Sequence, residues 1–495
     1  MRKEITALML AGALTAAAEG YQVNTFSAKQ EGMGHVGVAM KLGAESQIFN
    51  PGALAFSDKI IDISGSVSAI KASATATVGG VDYDTSNKVS TPMNVSAAFR
   101  IYDNLYAGLT FFTPYGSSIN WGKTWPGAVL SESVDLKMFT VQPTVSWRVL
   151  PNLSVGAGLM IGWGSVNLNK GMVTGASMDR VMELQYAAAM LKHTVGTLTG
   201  QNPGEAPKPV AYKYGNVPPA SVNLNGSTQL AVGFNVGALW DIDSRWSVGA
   251  SFRSKMNMRV KAGAASVEYA DEMARQVLGA TLDNLNYTDF SASMPCPWVL
   301  TAGVSYKPIE RLTLAFDAQL NGWNAYKSLD INFADLEGFD QHLEKNYHNA
   351  MTYHIGAQFA MTDRLDLRAG LMIDTSPVDK NIYNPETPGM TKWEPSVGLS
   401  FRPLKGLSID LAFMYVFGSG LDGGSVDYKN LLTPTYNKGL AEYNAGVAQL
   451  NSILTSMGMP SYAGAQLQPM EDVQRFTADY RLHALIPAIG ISYSF

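Results

Sequence analysis

LSIDLAFMYVF, residues 407–417, sets Leu407, Ile409, Leu411, Phe413, Tyr415 and Phe417 on one side of an extended chain, with Ser408, Asp410 and Ala412 on the other. Strand side chains alternate with a period of two, so this stretch has one oily face and one wetter face. The same period recurs outward along the chain. Leu365, Leu367, Ala369, Leu371 and Ile373 alternate with Asp366, Arg368 and Gly370. Leu153, Val155, Ala157, Leu159, Ile161 and Trp163 alternate with Ser154 and glycines, and Leu230–Trp240 and Trp246–Phe252 repeat the pattern. A slip of one residue would turn each face over, so these are strands with two unlike surfaces. Charged residues are 16% of the 495, below the roughly 25% of a soluble domain. The 46% apolar residues form no run of about 18 beyond the N-terminus, so no membrane helix is expected. Their interleaving with Gly, Ser, Thr and Asn suits strands that face lipid on one side and a polar interior on the other.

A soluble β-sandwich also alternates, and two features argue against it. The runs hold about ten or more residues, against a usual five or six. Connections also alternate in length. Short turns fall at Tyr102-Asp103-Asn104, Leu150-Pro151-Asn152, Asp241-Ile242-Asp243, Pro308-Ile309-Glu310, Thr362-Asp363 and Pro403-Leu404-Lys405, with long loops between them. Short periplasmic turns and long extracellular loops are the outer-membrane arrangement. The expected fold is therefore all-β: a transmembrane antiparallel β-barrel of about fourteen strands with an N-terminal plug. The strands are placed at 59–72, 91–102, 104–120, 133–149, 152–170, 226–243, 244–262, 296–308, 311–326, 349–362, 365–377, 390–403, 406–420 and 480–495. The last carries Leu485, Ile489, Ile491, Tyr493 and Phe495 on one face, and its terminal Phe resembles the C-terminal signal of outer-membrane proteins.

Arg2 and Lys3, the apolar run Ile5 to Ala13 and the small residues Ala16 to Ala18 read as a signal peptide over residues 1–18. Residues 19–57 lack alternation, are Gly-rich and hold the turn signal Asn50-Pro51-Gly52, so they read as a plug or hatch ahead of a barrel at 58–495. Three loop segments, at 178–191, 265–278 and 439–457, have helical apolar spacing. Met182, Met190 and Leu191 in the first are candidates for a hydrophobic capture groove at the barrel mouth, against the plainer reading of a loop helix packed on its neighbours. The single cysteine, Cys296, and six scattered histidines offer no metal motif, and a net charge of −5 is too mild to imply a nucleic-acid partner. No Walker loop or nucleophile elbow is present, so neither an enzyme nor a cofactor is expected.

Four segments resemble the FadL family of outer-membrane channels for long-chain fatty acids and aromatic hydrocarbons. GYQVNTFSAKQEGMGHVGVAM (20–40) is similar to the family's opening segment, and FNPGAL (49–54) stands where the family has Asn-Pro-Ala, with Gly52 replacing alanine. MPCPWVLTAGVSYKPIERLTLAFDAQLNGWNAY (294–326) and YHIGAQFAMTDRLDLRAGLMIDTSPVD (353–379) resemble two of its hairpins. The resemblance implies fourteen strands closed by a hatch, ligand capture at the outer loops, and lateral release where the third strand kinks near the hatch motif. Carried over, the hatch motif is Asn50, Pro51 and Gly52, and the kink is Pro114, Tyr115 and Gly116. Proline removes a ladder donor and glycine in a strand marks a bulge, which independently favours a kink there. An ordinary strand end after Phe112 is the competing reading.

The expected function is passive uptake of a hydrophobic small molecule. A carboxylate head would want a cation, and Arg253, Lys255 and Arg259 belong to the densest basic ladder on any strand; luminal ion pairs or contacts with anionic lipid at the rim are the competing assignment. The alternatives are a general porin or surface adhesin and, less so, a barrel enzyme. Other expected partners are outer-membrane lipid and lipopolysaccharide and the barrel-assembly machinery, with the chain acting as a monomer.

Overall fold

The computed structural model describes residues 20–209 and 213–495; the expected signal peptide lies outside them. Among the described residues, fourteen antiparallel strands close a ring: β1 Ile61–Ser68, β2 Met93–Tyr102, β3 Leu105–Asn120, β4 Ser133–Leu150, β5 Leu153–Gly171, β6 Ala231–Asp241, β7 Trp246–Arg253, β8 Val299–Ile309, β9 Leu312–Asn321, β10 Ala350–Thr362, β11 Leu365–Asp374, β12 Lys392–Leu404, β13 Leu407–Gly418 and β14 Val473–Ser494. Each pairs with the next, and β1 also pairs with β14, Asp62 opposite Ser494 and Ser68 opposite Ala488. The backbone N–H of Phe495 donates to Ile61, and that of Ile60 donates to Phe495, so the terminal residue helps to seal the ring.

Alternation explains the wall. In β13, Leu411 and Phe413 are 45% and 42% exposed whereas Met414 and Val416 are buried. Ile63, Val95, Leu109, Val155, Val236, Leu367 and Val397 repeat the outward exposure on other strands. A continuous apolar exterior on a closed barrel is a lipid-facing surface. Aromatic side chains gather at both heights, as the stacked Trp246 and Tyr306 near the short turns and the Phe111–Phe139–Trp163 and Phe234–Phe252–Trp298 groups towards the long loops.

The wall departs from the expected strands along one line. β6 is preceded by a separate strand, Ala220–Ser227; β7 is followed by Met256–Tyr269; β8 is preceded by Asp289–Cys296; and β9 is followed by Ser328–Phe333. These upper pieces pair with one another in the same order as the strands below them. The break at Ser254–Lys255 changes which side chains face in: Arg253 is buried, then Met256, Met258 and Val260 are buried while Lys255 and Arg259 are exposed. One strand over 244–262 is thus corrected to two, and the basic ladder is split between the faces. The expected strand at 59–72 likewise ends at Ser68, and Lys71–Val78 forms a hairpin with Val81–Asp84 that pairs with the outer half of β14.

Three longer helices stand in the outer loops: α1 Gly175–Leu198, α2 Glu272–Leu282 and α3 Thr433–Ser456. Residues 20–56 form no wall strand. They run through short helical turns at Ala28–Glu31, Gly43–Glu45, Ser46–Phe49 and Pro51–Phe56, nearly all buried inside the ring.

Candidate functional site

Small residues on the inner wall receive the hatch. Gly156 faces Gly237 across β5 and β6, and Gly356 faces Gly370 across β10 and β11. A side chain at Gly156 would overlap the Pro51 carbonyl, and one at Gly370 would overlap the backbone of Met33 and Gly34. The wall is bare there because hatch backbone lies directly against it. Asn50 caps the Pro51–Phe56 turn by accepting from the Gly52 N–H, while its Nδ2 donates to Val38 O (2.7 Å) and to Ala238 O on β6 (2.8 Å). Gly52 O accepts from the Ser146 and Ser154 hydroxyls at 2.9 and 2.7 Å. A Cβ on Gly52 would sit 2.8 Å from Gly237 O, so glycine where the resembled family has alanine matches this wall.

The hatch loop 34–39 is pinned to the opposite side. The Gly34 N–H donates to Ser396 Oγ (3.0 Å), His354 Nδ1 donates to Gly34 O (2.8 Å), and Ser305 Oγ donates to Ala39 O. Asp317 Oδ2 accepts from the Gly37 and Val38 amides at 2.6 and 3.0 Å. Glu31 is wholly buried and accepts from Ser68 Oγ at 2.6 Å; burial, helped by nearby Glu394 and opposed by that hydrogen bond, pushes its carboxyl up to about 8.

Pro114, Tyr115 and Gly116 form a bulge in β3. Register against β4 slips between Phe112 and Tyr115, and pairing with β2 ends at Phe112. The edge beyond is taken by the start of the hatch: the Val23 N–H donates to Pro114 O (2.9 Å) and the Gly116 N–H to Tyr21 O (2.8 Å), with Gln22 bridged to Tyr115. The residues bonded to the kink are therefore Tyr21 and Val23. The hydrogen bonds of Asn50 and Gly52 to the wall instead run to β4, β5 and β6, correcting the expectation that the hatch motif itself packs on the kink.

Just above the hatch, around Tyr21, the interior is apolar, and nearer the rim it holds the buried ion pairs Lys392–Asp374 and Lys345–Glu386, both at 2.9 Å. Tyr21 packs edge-on against Trp323 (5.1 Å), Tyr326 and Tyr115, next to buried Met138, Met256, Met258, Met294 and Cys296. Below it lies a cavity of about 490 Å³ lined by Lys29, Lys41, Lys59, Lys307, Arg368 and Arg402 with Asp62 and Asp366. Arg402 holds Asp366 through its two terminal guanidinium nitrogens at 2.6 and 2.7 Å, and Lys41 meets Asp241 at 2.5 Å. The hatch separates a lower interior lined mainly by charges from an upper one that is aromatic and apolar around Tyr21 and carries buried ion pairs nearer the rim, which differs from the open lumen of a general porin.

Of the three cations suggested by sequence, only Arg253 is brought to the interior. Its Nη2 donates to Ile48 O (3.1 Å), and its guanidinium lies over Phe26 and Phe112 and against Tyr115. In the loops, Met182 is buried, Leu191 and Leu184 pack over Gly446 and Gly439 of α3, and Met190 is half-buried. An outer cavity of about 470 Å³ opens beside the start of α1, lined by Val129, Leu130, Met172, Phe339, Leu343 and Leu431 among polar neighbours. Sequence reasoning missed His35 and Asp317; the signal for Asp317 was the one acid on the inward face of its strand, among Thr313, Gln319 and Asn321.

Comparison with known proteins gives one family. Residues 9–437 match the model of the outer membrane protein transport protein family (OMPP1/FadL/TodX). Outer membrane protein P1 of Haemophilus influenzae is 21% identical over 335 residues, 67% of this chain and 66% of the relative, just under two thirds of its length. The long-chain fatty acid transport protein of Salmonella typhi is 22% identical over 81% of this chain and 88% of its own. Among solved structures, a Pseudomonas aeruginosa FadL homologue superposes with a TM-score of 0.70 at 17% identity, covering 96% of this chain and all of the other. The P. putida toluene transporter TodX gives 0.61 at 16%, covering 96% and 99%.

Proposed function

The chain belongs to the outer membrane protein transport family OMPP1/FadL/TodX, and from that membership we propose that it carries hydrophobic small molecules, such as long-chain fatty acids, passively across the outer membrane. Membership places it among transport channels of the outer membrane rather than among enzymes. In this reading residues 1–18 are a signal peptide, 19–57 the hatch and 58–495 the barrel. Ligand arrives through lipopolysaccharide, enters the 470 Å³ cavity beside the start of α1, whose lining does not include Met182, Met190 or Leu191, and descends into the aromatic and sulfur-rich interior. Arg253 meets its polar head; exposed Lys255 and Arg259 stay outside that seat. The ring closes within one chain, which suits a monomer inserted by the barrel-assembly machinery.

The observation that carries lateral release is the change of lining across the hatch. Each CH₂ taken from water into an apolar site gains about 0.8 kcal/mol, so a long chain is held well above the hatch and would surrender that gain in the charged cavity beneath it. The β3 edge at Pro114–Gly116, taken by residues 21–23 of the hatch rather than by a wall strand, offers a sideways route to lipid. Moving Tyr21–Val23 off that edge would open it.

Straightening β3 tests the route. Pro114→Thr with Gly116→Val restores a ladder donor and β-branched residues, which a strand favours. Uptake of a radiolabelled fatty acid by cells should fall about tenfold or more, equivalent to ~1.4 kcal/mol on the passage step, while the barrel still migrates differently before and after boiling. Wild-type uptake by a correctly assembled double mutant would refute lateral release.

A further inference from the structure

The break at Ser254–Lys255 has an outward side as well. Below it, β7 and the approach to β6 turn Phe252, Phe234, Val232 and Leu230 towards lipid, and Val232 and Leu230 are 63% and 70% exposed. From the break into Met256–Tyr269 the outward positions become cationic, with Lys255, Arg259 and Lys261 all exposed. Backbone bonds fix the two levels against each other. The Ser254 N–H donates to Phe234 O at 2.8 Å, and the Gln229 N–H donates to Arg259 O at 2.7 Å. The cations therefore stand over the apolar band and its Phe234–Phe252–Trp298 aromatics, on the long-loop side. Aromatic girdles mark the interfaces of such barrels, so this is the height of the outer leaflet's head groups.

Among the described residues, none of the three cations makes an ion pair or a side-chain hydrogen bond, and the acids on nearby outward positions are engaged or remote. Lys137 holds Asp135 at 3.0 Å, and Lys123 holds Glu268 at 2.8 Å. Asp289 lies opposite Ala264, nearer the loops than Ser293, which lies opposite Arg259. Hydroxyls share the level of the cations: Ser293 is exposed, and so is Ser227, opposite Ser165 of β5. Three unanswered cations above exposed aliphatic side chains suit an anion that brings its own hydrocarbon. A free phosphate would leave Leu230 and Val232 bare, and an uncharged lipid would leave the cations unanswered.

We propose that this strip seats the lipid A of lipopolysaccharide, with its phosphates on Lys255, Arg259 and Lys261 and its acyl chains on Leu230, Val232 and Phe234. Guanidinium meets phosphate through two parallel donors, and the serine hydroxyls donate to the remaining oxygens. From Lys255 to Lys261 the chain covers about 20 Å. That spread suits lipid A, which carries a phosphate at either end of its disaccharide, better than a phospholipid with a single one. The seat lies outside the barrel, so it stands whichever molecule the lumen carries.

Native mass spectrometry of the full-length barrel in detergent micelles tests it, with diphosphoryl lipid A, monophosphoryl lipid A, phosphatidylglycerol and phosphatidylethanolamine as probes. Diphosphoryl lipid A should bind at least about tenfold more tightly than phosphatidylglycerol, with the monophosphoryl form between them. A Lys or Arg beside an anionic lipid surface strengthens binding by about fivefold. Lys255→Gln, Arg259→Gln and Lys261→Gln together should therefore weaken diphosphoryl lipid A by about tenfold or more. Arg311→Gln, Arg364→Gln and Lys405→Gln remove the same charge from exposed positions at the short turns and should leave it unchanged. Leu230→Ser with Val232→Ser alters no charge and should weaken it too. All of these changes fall on exposed side chains, and migration that differs before and after boiling confirms assembly of each variant. Wild-type affinity in the Lys255, Arg259 and Lys261 variant, or an equal loss in the short-turn variant, overturns the proposal. Phosphatidylglycerol binding as tightly as diphosphoryl lipid A overturns it as well.

Discussion

Replacing Gly370 by valine should loosen the hatch without damaging the wall. Gly370 lies on β11 with its open side against Met33 and Gly34, and backbone there cannot give way as a flexible side chain could. The valine would force residues 33–38 inward and strain the four bonds that pin them: Gly34 N–H to Ser396, His354 to Gly34 O, and the Gly37 and Val38 amides to Asp317. Two neutral hydrogen bonds at about 1 kcal/mol and two to a carboxylate at about 1.5–3 kcal/mol give roughly 5–8 kcal/mol at stake. A β-branched residue in a strand returns at most ~1 kcal/mol. Losing even half of the difference shifts the docked-to-undocked ratio by about thirtyfold or more. Single-channel recording in planar bilayers should therefore show higher ion conductance for Gly370→Val. Gly65→Val on β1 is the control, because an added Cβ there meets nothing closer than 3.6 Å. An assembled Gly370→Val barrel with wild-type conductance would refute the idea that this contact seals the interior.

Asn50→Ala removes two donated bonds and a cap, about 2–4 kcal/mol, and should speed hydrogen–deuterium exchange of amides 32–56 while the wall strands stay protected. Hatch docking should also depend on pH through Glu31. Its carboxyl is raised from 4.5 to about 8 when docked, so its contribution is fully present below pH 4.5, fades as pH rises through 8, and is constant above that. Conductance should rise over that window, and Glu31→Gln should flatten the rise. Far-ultraviolet circular dichroism of the detergent-purified protein should be strand-dominated; a helix-dominated spectrum would contradict the wall described here.

The wall was legible because its signal is local. Runs such as 407–417 and 365–373 declare both faces within a few residues, and the short turns set the strand order. Ser254–Lys255 was not legible: neither residue is a strong breaker, and the ladder continues on either side, so the change of inward face leaves no mark in the sequence. The inner glycines were ambiguous for another reason. In one chain they read as weak strand positions, and only the pairing of Gly156 with Gly237 and of Gly356 with Gly370 shows that they are a seat. The bridge from Tyr21–Val23 to the β3 bulge joins residues about ninety apart without any alternation in the hatch, so no local pattern could reveal it. His35 looked like one more scattered histidine, since its ring's lack of hydrogen-bond partners among the described residues is a property of the packed interior.

The engagement of Tyr21–Val23 with the β3 edge bears on how this protein should be handled at the bench. An affinity tag fused just ahead of Gly20 would have to thread past Trp323, whose ring lies against Gly20, and would pull on the strand edge that guards the proposed outlet. A C-terminal tag is little better, because Phe495 is bonded into the first strand. The turn at Gly79–Gly80 has open space around both residues, so an epitope inserted there should label assembled barrels on the outer face while leaving the transport path as it was.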